Sequence, residues 1–182
     1  MFMTESVAKN IGHGSEKPSW EKDINQAFLG VFIYTRLRKV MHGKSTKEEQ
    51  EYLRKALDFF KSAQEGYQIL TTKNHATISK AFFRSDKAMD NLSIIFEILT
   101  QCQQDQCFVH DKDFEAGRRE LFELAAKENG TSDLLEKCIS TLEAILEERP
   151  IKPSDVALPA FFFKVFYKEA HTRLSYPRNG CF

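Results

Sequence analysis

The sequence predicts an all-α fold, a single-domain helical bundle of six or seven helices, and three observations carry that expectation. Apolar residues recur three and four positions apart through most of the chain, the spacing of one helix face and not the alternation of a strand. Caps and breakers punctuate those stretches, with Thr46 and Glu49 marking a start and Gly43, Asn129-Gly130 and Pro150 marking stops. The 182 residues include 16 Phe. A chain of that length buries roughly 70% of its unfolded surface, and so many rings suit a bulky aromatic core.

Residues 1–17 hold little that can pack and include Gly12, Gly14 and Ser15, so a disordered N-terminal tail is expected there. The bundle is expected over residues 18–174. Its first helix opens at Ser19 and runs through Trp20, Ile24, Phe28 and Val31 to about Met41, with Gly43 as the stop. The run AFLGVFIY inside it has the look of a buried strand, but the flanks EKDINQ and TRLRKVM continue a helical pattern in good helix formers. Thr46 and Glu49 match a capping box and launch a second helix. It carries Leu53, Ala56, Leu57, Phe60, Ala63, Tyr67 and Leu70 on one face. The short break between the two makes them antiparallel neighbours.

The third helix, Ser85 to Cys102, is expected at the centre. Ala88, Met89, Leu92, Ile95, Phe96, Leu99 and Cys102 share a face, and Ile94 and Ile98 widen it beyond a normal stripe. Ser85 suits the N-cap. Residues 76–83 form either a separate short helix or the opening of this one, which is why the count is six or seven. Asp111 caps a fourth helix with Phe114, Leu121, Phe122 and Leu124; Thr131 or Ser132 starts a fifth with Leu134, Leu135, Cys138, Leu142, Ile145 and Leu146. Three prolines, Pro150, Pro153 and Pro159, then predict a loop with at most one helical turn. Pro159 is expected as the first residue of the last helix, AFFFKVFYKEAHTRL. That helix is either clamped inside the bundle or presents its aromatic face to a partner. A tail with Pro177 and Asn179-Gly180 follows at 175–182.

Charge sharpens the functional expectation. Lys plus Arg equals Asp plus Glu at 26 each, so no overall field draws the chain to nucleic acid or an anionic membrane. The neutrality hides segregation. Between Asp23 and Glu48 lie Arg36, Arg38, Lys39, Lys44 and Lys47 with no acid among them, and Lys73, Lys80 and Arg84 follow, whereas residues 101–150 hold twelve acids against six bases. The expected function is therefore a non-enzymatic, intracellular interaction or regulatory module. It would meet a protein partner through a basic patch of Arg36, Arg38, Lys39, Lys44, Lys80 and Arg84. One alternative is a nucleic-acid-binding or RNA-cleaving helical protein using the same residues. A second is a small-molecule or haem sensor with an aromatic-lined pocket and His75 or His110 as ligand. Basic and acidic ends also suit head-to-tail homo-oligomers.

Motifs for chemistry are sparse. Gly43-Lys44-Ser45 matches the end of a phosphate-binding loop, but Arg38 stands where the loop needs its earlier glycine and a helix precedes it in place of a strand. Cys102, Cys107 and His110 are the one metal-like cluster, short of the four ligands zinc needs unless Cys138 or a distant His completes it. Arg36 with His42 resembles the active pair of small helical ribonucleases of the HEPN kind, in which Arg would hold the scissile phosphate and His move the 2′-hydroxyl proton. No catalytic residue and no cofactor is assigned. The N-terminal stretch has neither a basic leader nor an apolar run, and no later segment is apolar enough to span a bilayer, so a cytoplasmic protein without membrane contact is expected. Four unpaired-looking cysteines fit a reducing compartment.

Overall fold

The last helix of the chain, not the third, is the one the others surround. The computed structural model describes residues 19–43, 45–72, 86–104 and 112–175, with the side chains of 19–28, 86, 113 and 169–175 outside that description. Every regular element among the described residues is helical: α1 Ser19–His42, α2 Lys47–Thr71, α3 Asp86–Gln103, α4 Glu115–Ala126, α5 Gly130–Leu146 and α6 Pro153–Ser175, with a 3₁₀ turn, Lys112–Phe114, ahead of α4. One buried cluster draws side chains from all six helices, so the chain is an all-α, single-domain bundle. The expected N-terminal tail, the short helix at 76–83, the Ser85 and Asp111 caps and residues 176–182 lie outside the described residues.

Residues Val156 to Phe163 are buried without interruption. A helix that is apolar on every side must be enclosed. Helices α1 and α4 approach α6 most closely, and its rings reach α2. Phe59 and Phe60 of α2 meet Phe162, Phe163 and Phe166 of α6 with ring centroids 5.1 to 6.0 Å apart, all tilted or edge-on, the offset arrangements that ring quadrupoles favour. The aromatic face of the last helix is thus clamped inside the bundle.

Two expectations need correction here. The prolines do not make a loop up to Pro159, because α6 begins at Pro153 and runs through Pro159. Pro153 occupies the first helical position, where a missing N–H costs nothing, and Asp155 accepts the Lys152 N–H at 3.3 Å. Pro159 forfeits one N–H, whose partner would be the carbonyl of Asp155. That residue is exposed, so water can take the vacancy, and burial of the VALPAFFF run outweighs the cost of about 3 kcal/mol.

The third helix is a flank and not the hub. Ala88, Leu92, Ile95, Ile98, Leu99 and Cys102 are buried, but Phe96 is 37% exposed, and Met89 and Ile94 are half-buried. This helix packs one face on α2 and α4. Phase shifts elsewhere are smaller. Ile33 and Leu37, not Val31, carry the buried stripe of α1; Phe59 joins the core of α2 where Leu57 is half-buried, and Leu70 is 41% exposed.

The capping box at α2 is present as expected. Thr46 Oγ1 accepts the Glu49 N–H at 3.3 Å, and Glu49 Oε2 accepts the Thr46 N–H at 3.1 Å. Helix α4, by contrast, starts behind Phe114 and α5 at Gly130 behind Asn129, neither with a side-chain cap.

Cys102 on α3 and Cys138 on α5 are buried thiols, and burial pushes the Cys138 thiol well above its ordinary value. In a Cys107→Ser/Cys181→Ser variant, an aromatic disulfide reagent at pH 8 is expected to release no chromophore from the native protein and two equivalents after denaturant is added. Rapid reaction of the native variant would show that these sulfurs are not enclosed.

Candidate functional site

The break between α1 and α2 brings the C-terminal turns of one helix against the first turns of the next, and the side chains that meet there are Arg36, Lys39, Glu49, Tyr52, Lys55 and Phe32. Glu49 is the anchor. It is only 5% exposed, closes the capping box with Thr46, and takes a hydrogen bond from Lys39 Nζ to Oε1 at 2.8 Å. The Lys39 hydrogen bond, the Thr46 N–H and the charges of Lys39 and Arg36 together hold its carboxyl below the ordinary value of 4.5, against the opposing effect of burial.

A carboxylate whose proton is held less tightly in the folded state adds stability above its unfolded value near 4.5, and that stability disappears as pH falls through the lower folded value. Glu49→Gln retains an amide oxygen for the Thr46 N–H but not the charge. Its deficit relative to wild type, in urea unfolding, is expected to be about 1 kcal/mol at neutral pH and to shrink progressively as pH falls below 4.5. A deficit independent of pH would refute the ionised pair.

Arg36 lies one turn before Lys39, with its guanidinium carbon 5.3 Å from the centre of the Tyr52 ring; Lys55 Nζ is also 5.3 Å from that centre. The Phe32 ring stacks on Tyr52 at 5.2 Å and 24°, yet remains 41% exposed. The Nε of Arg36 is buried and has no hydrogen-bond partner among the described residues, a state that costs about 1–3 kcal/mol and calls for an explanation. The result is a rim of two aromatic rings and two cations, with a third cation, the exposed Lys39, neutralised by Glu49 beside it.

Of the basic residues expected to form the patch, Arg36 and Lys39 come together at this corner. Arg38, exposed, is two positions from Arg36 and so projects from the other side of α1, about 200° round. Lys44, Lys80 and Arg84 lie outside the described residues. Arg36 and His42 share α1 but stand about 9 Å apart along its axis and about 120° apart around it, which does not aim them at one phosphate. Gly43 follows a helix, as expected, and not the strand of a phosphate loop. Cys102 faces the core; Cys107, His110 and His75 are outside the described residues, and no group of three or more metal-type side chains gathers among the described residues.

Phe32, Tyr52 and Lys55 were not legible as site residues. Their helical phase assigns aromatic residues near the basic clusters to the core, and only the crossing of α1 and α2 turns Phe32 outward. No helix among the described residues is long and apolar enough to cross a membrane. No protein-family model, no curated protein and no solved structure matches the chain.

Proposed function

We propose that the protein is a non-enzymatic interaction module whose α1–α2 corner receives an acidic segment of a protein partner. The observation that carries this is Arg36, packed on Tyr52 with a buried Nε that has no acceptor among the described residues. Arg and Tyr are the side chains most often found at the energetic centre of interfaces, and a carboxylate suits the guanidinium fork. Phe32 supplies exposed apolar surface beside it, and Lys55 a second cation. Buried thiols at Cys102 and Cys138 suit an intracellular, cytoplasmic setting.

Exposure of the Phe32 ring favours one second reading, in which a base of single-stranded RNA stacks there while Arg36 and Lys55 meet phosphates. Fluorescence anisotropy with an Asp/Glu-rich peptide carrying aromatic residues, and with a mixed-sequence RNA 12-mer, separates the two. The proposal expects peptide binding that Arg36→Ala weakens about tenfold and Phe32→Ala also weakens, with Arg54→Ala as an exposed control. Tighter RNA binding with a steep salt dependence would replace it with the second reading. Binding of neither probe, or binding indifferent to Arg36, would overturn both.

A further inference from the structure

The α1–α2 corner is one half of a charge pattern whose other half lies on α4 and α5. At the corner Lys39 is matched by Glu49. Arg36 and Lys55 instead lie against the Tyr52 ring and form no ion pair among the described residues. Two cations without a carboxylate therefore flank the exposed ring of Phe32.

The opposite sign collects where α4 turns into α5. Residues 115–149 hold nine acids and five bases. Lys137 of α5 donates to Glu120 of α4, and Asp133 and Glu123 stand close enough to act on the same ammonium, so three carboxylates share one cation. The hydrogen bond to Glu120, and then the charges of Glu120, Asp133 and Glu123, hold the Lys137 proton above its ordinary value, against the opposing effect of burial. Glu123 is exposed and Asp133 half-buried. Neither forms an ion pair among the described residues.

These two regions do not meet within one chain. Helix α1, which carries Arg36, packs only on α2 and α6 among the described elements. Helix α2 does reach α5, with Lys61 on Glu143 at 3.1 Å, but Lys61 lies about 9 Å along the helix from Lys55. A carboxylate for the corner has to come from another molecule.

We propose that a second copy of this chain is the partner the corner receives, with Glu123 and Asp133 of one molecule against Arg36 and Lys55 of the next. The proposal rests on the reading of the corner as a site for an acidic protein surface, and it names that surface. Sign and number agree, two carboxylates for two cations, and Phe32 adds apolar area beside them. Opposite charges brought together across an interface fix which faces meet and hold like faces apart. Because the two faces differ, the contact is head-to-tail, and each added copy leaves a basic face and an acidic face free for the next unless a ring closes.

Sedimentation velocity of the full chain from about 10 μM to about 1 mM is the test. The Debye length falls from about 30 Å at 0.01 M salt to about 3 Å at 1 M. At the lower salt the sedimentation coefficient is expected to rise with concentration past that of a dimer, and at the higher salt to stay at the monomer value. Arg36→Gln/Lys55→Gln and Glu123→Gln/Asp133→Asn are each expected to weaken association about tenfold. Arg38→Gln/Arg54→Gln, which removes the same charge elsewhere, is expected to associate like wild type. Mixed in equal amounts, the two deficient variants should form dimers and stop there, since each keeps the face the other lacks. Glu123→Gln alone serves as the acidic-face variant should Asp133→Asn lower the melting temperature. The proposal is overturned if the wild type stays monomeric at low salt, if the mixture associates no better than its components, or if the deficient variants assemble like wild type. A monomer that still binds the Asp/Glu-rich peptide through Arg36 would remove only the second copy as partner; one that binds no peptide would remove the reading of the corner as well.

Discussion

Gly117→Ala is expected to lower the melting temperature by about 6–12 °C, a loss of about 3 kcal/mol for a domain of this size. In an exposed helix the same change would gain about 1 kcal/mol, since alanine is the better helix former. Here the added methyl would sit 2.0 Å from the Ala157 carbonyl oxygen and 2.4 Å from its carbon. These are backbone atoms of α6, so no rotamer change relieves the clash, and α4 must move off the hub. Gly43→Ala is the control, because its methyl would meet nothing nearer than the Lys39 carbonyl at 3.9 Å. Thermal and urea unfolding of the two variants should give opposite outcomes, with Gly43→Ala within about 0.5 kcal/mol of wild type. A Gly117→Ala protein as stable as wild type would mean that α4 and α6 do not touch at this point.

Phe162→Ala should be costlier, about 3–5 kcal/mol. The ring is fully buried and lies 5.1 Å from Phe60, 5.4 Å from Phe163 and 6.0 Å from Phe59, centre to centre. Truncation removes its transfer free energy and leaves a cavity bounded by rigid rings that cannot collapse into it. Such a loss is a large part of the whole stability of a typical domain, about 5–15 kcal/mol. Phe162→Leu supplies a milder point on the same scale, about 1–2 kcal/mol, should the alanine variant not fold. Phe32→Ala, by contrast, removes a ring 41% exposed and should cost under about 1 kcal/mol. If urea unfolding places Phe162→Ala and Phe32→Ala at equal stability, the aromatic cluster is not the centre of the fold.

These contrasts mark how far the chain could be read without coordinates. Helix type followed from periodicity, and the start of α2 from Thr46 and Glu49, because both are local: each depends on residues within two turns of one another. Local information also misled where a global term was larger. Three prolines in ten residues argue for a loop on propensity alone, yet α6 runs through Pro159 because its flanking residues gain more from enclosure than one missing donor costs. The third helix read as central from its width of apolar surface, but width cannot say how many neighbours will come to cover it.

The candidate corner was half visible. Arg36 and Lys39 stood out as part of a run of bases without acids, and Glu49 stood out only as a cap. That Glu49 also neutralises Lys39, and that Phe32 stacks on Tyr52 beside Arg36, depends on how two helices are set against each other.

By itself, then, the order of residues determined that this chain makes helices, roughly where they start and stop, and that one core of phenylalanines would hold them. Only the tertiary structure decided that α6 is the hub, which cation Glu49 neutralises, and which arginine nitrogen is buried without a partner among the described residues. The physical reason is range: hydrogen bonds along a helix act over four residues, whereas enclosure and charge pairing act between segments brought together by packing.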